Sequence, residues 1–379
     1  MYSESPAPEI LRSHGRRLAS VIVIGGGQSG LAAAYALREH GFRPVILEAG
    51  KEPVGSWPRY YDSLSLFTPA RINALPGLPF PGDPNGFPTR DEVVDYLRAY
   101  AARLDCEILT GRRVTSVAAD GGGFAVQTRD GSTHTAPFVV AATGAFDNPH
   151  RPDLPGLAGY TGTVLHSSDY RNPDDYKGQR VVVVGAATSA VQIAVELAGH
   201  ARVTLATRKP VVFYNNKPTP GDSRFWTVAG KLGRVPTGRL FPQHTIHNGT
   251  GGVLETGGYA DALASGNPDR REMFTRADGT RLHWPAHPAE HVDTVILATG
   301  YRWAMHYLRP IGALNADGVP MQRAGLSTTH PGLAIVGLQG QYSLFSGSLA
   351  GAGPDARHVA RRLRRQAAAQ LARRTRLGA

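Results

Sequence analysis

The chain has 379 residues, of which 41% are hydrophobic, and its formal net charge at pH 7 is +11. This length suggests two or three domains of about 150 residues each. The single cysteine, Cys106, excludes an internal disulfide and a CxxC redox pair, so we expect it to be a small packed side chain. The arginines are spread along most of the chain, which argues against a nucleic-acid-binding stripe.

The two ends of the chain have distinct compositions. Residues 1–18 contain no apolar core of a signal peptide and are predicted to be a flexible tail. Residues 358–379 are rich in arginine, which indicates a helix with a solvated face or a fraying tail; binding to a membrane surface or another anionic partner is the alternative. The most apolar stretch, Val181 to Leu197, includes glycine, glutamine and glutamate. It is therefore unlike a membrane span, and we predict a cytoplasmic protein.

A strand–turn–helix–strand unit comes first. The apolar run Val21–Ile24 predicts a buried strand, and the glycine turn Gly25–Gly30 leads into a helix that stops at Gly41. Arg43–Leu47 predicts the second strand. Glu48 follows it directly.

Loop, helix and short strands are predicted next. Residues 53–88 are rich in proline, glycine and aromatic residues and predict a structured loop. Thr89 and Glu92 have the spacing of a capping box at the start of a helix. Residues 112–142 predict short strands with a hairpin turn at Asp130-Gly131.

A second unit repeats the first. Val181–Val184 predicts a strand, Gly185–Ala190 a turn, and a helix and another strand follow. One apolar strand in each half ends in the same tripeptide, Ala142-Thr143-Gly144 or Ala298-Thr299-Gly300. We predict an α/β fold of two Rossmann-type dinucleotide-binding domains, the second inserted into the first. Gly353-Pro354 predicts the start of the last helix, with Pro354 at its first position.

The first glycine motif has the features of a dinucleotide site. Gly25 permits a tight turn, Gly27 allows the backbone to approach a pyrophosphate, and Gly30 allows close packing of helix on strand. The helix N-terminus offers free N–H groups to the phosphates. Glu48, at the end of the next strand, is placed to accept the hydroxyls of an adenosine ribose.

The second motif differs at two positions. Ala187 adds a Cβ where the backbone approaches the pyrophosphate, and Ala190 replaces the third glycine. The following strand ends in Thr207-Arg208 rather than in an acid. Because arginine suits a 2′-phosphate, we predict NADPH over NADH, the alternative being that Arg208 is a solvated surface residue.

Three further segments resemble a known family. The pattern FxGxxxHxxx(Y/F/W) is matched between the two glycine motifs, with tyrosine at its first position. The segments are Tyr160-x-Gly162-x-x-x-His166-x-x-x-Tyr170, Gly55-Ser56-Trp57 with Asp62 to Pro69, and Phe87-Pro88-Thr89-Arg90 with Val94 to Leu97. On these the chain resembles the class B flavoprotein monooxygenases, including plant YUCCA-type enzymes and short bacterial CzcO-like and arsenic-resistance-type proteins. Residues 211–290 match nothing in this resemblance.

The resemblance implies FAD on residues 19–158 and 291–357 and NADPH on residues 159–290. It places Trp57 and Thr68 near the flavin ring and gives His166 a linker role that senses cofactor binding; a structural histidine is the alternative. The predicted FAD contacts are Gly25, Gly27, Gln28, Ser29, Gly30, Glu48, Trp57, Thr68, Val114, Thr143 and Gly144. The predicted NADPH contacts are Gly185, Thr188, Ser189, Thr207, Arg208, Thr299 and Gly300. No metal site is expected, because His244-x-x-His247 lacks the other ligands of a zinc motif.

The activity implied by the resemblance is oxygen transfer. It involves a flavin C4a-(hydro)peroxide that passes one oxygen atom from O2 to a small nitrogen, sulfur or carbonyl substrate. Two alternatives remain open at this point. One is an NADPH:acceptor reductase or oxidase, which weak nucleotide retention at Ala187 would favour. The other is a non-enzymatic flavin redox sensor.

Overall fold

The computed structural model describes residues 12–13, 16–17, 19–215, 217–237 and 252–377. The predicted tail over residues 1–18 lies mostly outside this part of the chain, and His244 and His247 lie wholly outside it. The helices described are α1 (Gln28–Glu39), α2 (Arg90–Arg103), α3 (Thr188–Ala198), α4 (Arg224–Leu232), α5 (Tyr259–Ala264) and α6 (Leu349–Leu377). The strands described are β1 (Arg12–Ser13), β2 (Arg16–Arg17), β3 (Ala19–Ile24), β4 (Phe42–Leu47), β5 (Glu107–Leu109), β6 (Val114–Asp120), β7 (Gly123–Thr128), β8 (Thr133–Ala136), β9 (Phe138–Ala141), β10 (Thr163–His166), β11 (Arg180–Val184), β12 (Arg202–Thr207), β13 (Asp269–Glu272), β14 (Arg276–Asp278), β15 (Arg281–His283), β16 (Glu290–His291), β17 (Thr294–Leu297), β18 (Gln322–Arg323), β19 (Leu326–Ser327) and β20 (Leu333–Ile335).

Two sheets built on parallel strands form the frame of the molecule. The first has the order β18-β19-β20-β9-β3-β4-β5, in which the strands from β20 to β5 are parallel. The second has the order β10-β17-β11-β12-β13 and is parallel throughout. Antiparallel sheets β6-β7-β8 and β14-β15-β16 accompany them. The predicted α/β fold with two Rossmann-type units is confirmed.

Both parallel sheets are covered on both faces. Val21 and Val23 belong to one hydrophobic cluster, and Ile22 and Ile24 belong to another. The odd and even valines of Val181–Val184 divide between two further clusters in the same way. Because successive side chains of a strand point to opposite faces, a strand that is apolar at every position requires cover on both sides. This explains why the uninterrupted apolar runs predict central strands.

The structure assigns one strand to the second unit, although the domain boundary predicted at residues 290/291 assigns it to the first. That boundary assigns Thr294–Leu297 to the FAD-binding domain, whereas β17 lies between β10 and β11 in the second sheet. The repeat supplies the reason. Strand β9 lies beside β3 and β17 lies beside β11, so each Ala-Thr-Gly segment ends next to its own glycine turn.

The local signals between the two units are confirmed. Glu92 donates its N–H to the Thr89 hydroxyl at 3.3 Å, and its carboxylate accepts the Thr89 N–H at 2.8 Å, which is a complete capping box. The hairpin between β7 and β8 turns at Gly131, whose φ is +86°. The described residues between 210 and 290 form α4, α5 and three short strands with part of a fourth. Their glycines and prolines interrupt the apolar periodicity that identifies longer elements.

Helix α6 corrects the predicted start of the last helix. It begins at Leu349, so Pro354 lies inside the helix and not at its first position. Ala350 packs with Ile72 and Trp226, and this burial stabilises a first turn that the position of a proline alone does not reveal. Farther along, α6 packs on α1 and continues to Leu377.

Asp355 lies on the buried face of α6 with half of its carboxylate unpaired. The residue is 1% exposed, and its Oδ1 accepts the Ser346 hydroxyl at 2.8 Å. Its Oδ2 is buried and has no hydrogen-bond partner in the described part of the chain. Burial raises the pKa of Asp355 to about 7, and the Ser346 hydroxyl only partly opposes this rise.

We expect an Asp355→Asn variant to show a weaker pH dependence of stability. In the unfolded chain the carboxyl has a pKa near 3.8, so the unfolded state releases its proton first, and the native protein loses stability as pH rises from about 4 to about 7. Asparagine cannot ionise and still accepts the Ser346 hydroxyl. Urea unfolding at pH 5 and pH 8 should show a larger Asn advantage at pH 8, because about 1.4 kcal/mol develops for each pH unit between pH 5 and the native pKa. The exposed Asp317→Asn serves as control, and identical pH profiles for Asp355→Asn and the wild type would contradict this expectation.

Candidate functional site

The carboxyl ends of the first sheet bring the predicted FAD residues together. Gly25 donates its N–H to Leu47 at the end of β4, and Ala142 donates to Ile24 at the end of β3. The glycine turn, Glu48 and the first Ala-Thr-Gly segment therefore meet at one edge. Gly337, which sequence reasoning missed, joins them, because a Cβ there would lie 2.6 Å from the Ser29 hydroxyl.

The glycines of the first motif are required by the packing. Gly25 has φ of +104°, and a Cβ on it would lie 2.8 Å from the Ala142 carbonyl oxygen. A Cβ on Gly30 would overlap the carbonyl oxygen of Gly25, which explains the close approach of α1 to the turn. Gly27 faces Gly55, whose backbone crosses directly over the turn.

Helices α1 and α3 have open N-termini, in contrast to α2. Neither α1 nor α3 has a side-chain cap or an acidic residue in its first turn among the described residues, whereas α2 has the Thr89–Glu92 capping box. The first N–H groups of a helix have no partner within the helix and carry a partial positive charge. A pyrophosphate at each glycine turn fits this arrangement.

Glu48 is buried beside the turn. Its Oε2 accepts the Gly26 N–H at 2.5 Å and its Oε1 accepts the Gly50 N–H at 2.6 Å. Because a carboxylate oxygen can accept two hydrogen bonds, each of the two oxygens of Glu48 can still accept a ribose hydroxyl. Val114 begins β6 on the same side, after Gly111 and Arg112 donate to the carbonyls of Gly50 and Glu48.

The loop over the turn positions Trp57 and Thr68. The Trp57 indole N–H donates to Gln28 Oε1 at 2.8 Å, which fixes the loop to the first turn of α1. Thr68 is buried and donates its hydroxyl to Asn73 Oδ1 at 3.0 Å, while the Asn73 amide donates to the Thr68 carbonyl at 2.8 Å. Asn73 is 1% exposed. Asn73 therefore supports this loop, and no sequence motif indicated that role.

The second sheet repeats the arrangement at its own carboxyl edge. Gly185, with φ of +147°, donates its N–H to Ala206 and packs on the Ala298 carbonyl. Thr188 and Ser189 form the first turn of α3. The two Ala-Thr-Gly segments are fixed in similar ways. Thr143 donates its hydroxyl to the Ala304 carbonyl at 2.9 Å, and Thr299 donates its hydroxyl to the His150 carbonyl at 2.5 Å. Gly144 and Gly300 both have positive φ. Ala187 is exposed at the position where the first motif has Gly27.

Cationic side chains surround the end of β12. Arg208 is exposed, whereas Thr207 is buried and accepts the Arg270 Nε–H at 2.9 Å. Burial lowers the pKa of His150, and the charges of Arg302 and Arg208 lower it further, so both arginines lie near this ring. Sequence reasoning identified Arg208 and missed His150, Arg270 and Arg302, which β13 and the loops after each Ala-Thr-Gly segment supply.

His166 is fully buried with both ring nitrogens engaged. Its Nε2 donates to the Gly300 carbonyl at 2.9 Å, because a carbonyl only accepts, and its Nδ1 accepts the Ser168 N–H at 3.1 Å. Burial lowers the pKa of His166, which favours the neutral ring. The ring therefore connects β10 to the second Ala-Thr-Gly segment, and it has no free nitrogen in the described structure to act as a general base.

A row of aromatic side chains runs from the loop over the first glycine turn to the second Ala-Thr-Gly segment. Successive ring centroids are separated by 5.6 Å, 4.6 Å, 5.2 Å and 5.0 Å. Its members are Trp57, Tyr60, Phe146, Tyr301 and His166. Phe146 and Tyr301 follow the two Ala-Thr-Gly segments, so the repeat contains a signal for them.

Tyr61 makes a second connection between the units. It is 2% exposed, and its hydroxyl donates to Gln192 on α3 at 2.5 Å. Burial raises the pKa of Tyr61, so the hydroxyl stays protonated. Its neighbour Asp62 donates its N–H to Arg171 at 2.7 Å and accepts the Asn172 amide. The loop predicted to face the flavin is thereby fastened to the helix predicted to bind NADPH.

The comparisons with known proteins agree with this geometry. The family model described as pyridine nucleotide-disulphide oxidoreductase matches residues 22–220. The chain belongs to this family. It is 31% identical to an uncharacterized CzcO-like oxidoreductase of Geobacillus kaustophilus over 91% of this chain and 98% of that protein. It is 30% identical to indole-3-pyruvate monooxygenase YUCCA1 of Oryza sativa subsp. japonica, over 74% of this chain and 76% of that one.

A solved structure gives the same result. The flavin-containing monooxygenase from Stenotrophomonas maltophilia superposes with a TM-score of 0.77 at 29% identity, covering 91% of this chain and 98% of that one. The predicted resemblance to class B flavoprotein monooxygenases is confirmed, as is the enzyme class, an FAD- and NADPH-dependent oxidoreductase. In the described part of the chain, no helix is long and apolar enough to cross a membrane. The same residues contain no group of three or more metal-ligating side chains placed to hold an ion.

Proposed function

We propose that this protein is a monooxygenase that uses FAD and NADPH to transfer one oxygen atom to a small nitrogen, sulfur or carbonyl substrate. The observation that carries the proposal is the pair of open helix N-termini, one in each unit, with the aromatic row from Trp57 to His166 running between the two units. In this proposal each turn holds one dinucleotide. The single cysteine of the chain rules out the dithiol relay used by disulfide reductases.

The chain's own residues bind and orient the cofactors. The turn from Gly25 to Gly30 and Glu48 hold FAD, and Trp57 and Thr68 shape the loop beside the flavin ring. The first turn of α3 holds the NADPH pyrophosphate, and Arg208 pairs with the 2′-phosphate. When bound, FAD accepts hydride from NADPH and activates O2. Overall, one substrate molecule, one NADPH, one proton and one O2 give the substrate with one added oxygen atom, NADP+ and water.

The buried His166 supports this assignment because it has no ring nitrogen free for proton transfer in the described structure. Since its nitrogens are engaged with Gly300 and Ser168, its role is to hold the end of β10 against the second Ala-Thr-Gly segment, and no general base is required there. A second candidate, NADPH:acceptor reductase or oxidase activity without substrate oxygenation, is favoured by the exposed Ala187, which stands where the first motif has Gly27.

Rapid-mixing spectroscopy distinguishes the two candidates. The FAD-loaded enzyme is reduced with NADPH without oxygen and then mixed with O2. We expect a transient absorbing species different from both oxidised and reduced flavin, and its lifetime should shorten when dithionite replaces NADPH as reductant, because no nucleotide then shields the site. Immediate reoxidation with stoichiometric hydrogen peroxide, unchanged by added amines, sulfides or ketones, would establish the oxidase instead.

A further inference from the structure

Helix α4 and the residues around its C-terminal end expose an unusual share of apolar side chains. Nine large hydrophobic side chains are exposed in the described part of the chain, and five of them lie here. They are Phe225 at 47%, Val228 at 54%, Leu232 at 59%, Val235 at 45% and Leu344 at 62% exposed. The loop with Leu344 joins the helix because Phe345 donates its N–H to Gly233 at 3.0 Å. We call these five residues the α4 surface.

The exposed face belongs to a helix that is anchored on its other side. Trp226 is 2% exposed and packs edge-on against Phe87 at 5.9 Å, and Gly230 lies against Ile72. On the outer side, Phe225, Val228 and Leu232 follow the spacing i, i+3, i+7 of a single helix face. The helix therefore has one apolar face packed on the protein and a second apolar face directed away from it.

Cations flank the α4 surface. Arg224 and Lys231 are exposed on the helix, and Arg234 follows it with its guanidinium donating to the Ile72 carbonyl at 2.9 Å. Asp222 is the single acidic residue between residues 222 and 235. Arg357 of α6 lies close to Arg234, since its charge adds to burial in lowering the pKa of Arg234. One further cation, Arg357, therefore adjoins this region, on a chain with a net charge of +11.

We propose that the α4 surface binds the face of an anionic lipid bilayer. Apolar side chains flanked by lysine and arginine are the composition of an interfacial helix, whose apolar face enters the boundary between headgroups and acyl chains while its cations contact lipid phosphates. Charge complementarity favours this occupant over a second copy of the chain, because two copies joined here bring like charges together. The contact is peripheral, since only one face of α4 enters the bilayer.

The test is co-sedimentation of the FAD-loaded protein with vesicles. We expect binding to vesicles of phosphatidylcholine containing phosphatidylserine, release by salt, and little binding to phosphatidylcholine alone. The double variant Phe225→Ala/Leu232→Ala should weaken binding by at least about tenfold, since each side chain loses its burial in the bilayer. The matched control Thr227→Ala, exposed on another face of α4, should bind as the wild type does.

Charge is tested separately by Arg224→Gln/Lys231→Gln, which should abolish the preference for phosphatidylserine. All variants should retain FAD and the wild-type rate of NADPH oxidation, because none touches the cofactor turns. Two results would overturn the proposal. One is binding that is equal for both vesicle types or unchanged in the double alanine variant. The other is a wild-type dimer that becomes monomeric in the double variant while neither protein binds vesicles, which would make the surface an interface between copies.

Discussion

A Glu48→Ala variant is expected to lose most of its FAD during purification and to bind added FAD about 100-fold or more weakly. The Glu48 carboxylate is buried and already accepts N–H groups from Gly26 and Gly50 at 2.5 Å and 2.6 Å. Two ribose hydroxyls add charge-assisted hydrogen bonds of about 1.5–3 kcal/mol each, or roughly 10–100-fold in Kd apiece. Alanine removes these acceptors together with the contact that shapes the turn.

The flavin-to-protein absorbance ratio and an FAD titration provide the measurement. Glu107→Gln is the control, because Glu107 is exposed on the neighbouring strand β5 and its substitution makes the same change in charge. Glu48→Gln keeps the size of the side chain but places an amide NH2 against one of the two N–H donors, so it should also lose FAD. A fully yellow Glu48→Ala protein would remove Glu48 from the FAD site.

Arg208→Ala is expected to raise the KM for NADPH by about 10–100-fold and to leave the KM for NADH and kcat nearly unchanged. Arg208 is exposed at the carboxyl end of β12, and Arg302 lies close enough to share its effect on His150. A guanidinium paired with the 2′-phosphate contributes about 1.5–3 kcal/mol, and NADH has no such phosphate. Retention of Arg302 keeps the loss below that of removing both.

The same strand supplies the control. Arg202 is exposed at the amino end of β12, so Arg202→Ala removes the same charge far from the glycine turn and should change neither KM. Steady-state kinetics with both nucleotides make the comparison. Equal losses for NADPH and NADH in Arg208→Ala would assign Arg208 to a part of the nucleotide that both share.

Local sequence features predicted most of the frame. The uninterrupted apolar runs at Val21–Ile24 and Val181–Val184 identify central strands, because burial on both faces leaves no polar alternation. The glycine turns are predictable for a similar reason, since Gly25 and Gly30 meet requirements of backbone conformation and packing that a Cβ would violate. These features depend on residues close together in the chain.

Other features of the structure depend on tertiary contacts that no local motif indicates. The partner of Trp57 is Gln28, that of Tyr61 is Gln192, and that of Asp355 is Ser346. The assignment of β17 to the second sheet is of the same kind, since the run Thr294–Leu297 fits either sheet by its apolarity.

The amino-acid sequence by itself therefore determined the two dinucleotide-binding units and their glycine turns, and it predicts the roles of Glu48 and Arg208, because each rests on a short-range rule of turn geometry, burial or charge. Only the tertiary structure decided the aromatic row between the units, the cations around His150, the interior position of Pro354 and the exposed face of α4. These features form where distant parts of the chain come into contact. They are stabilised by tertiary contacts, which a local pattern of residues does not predict.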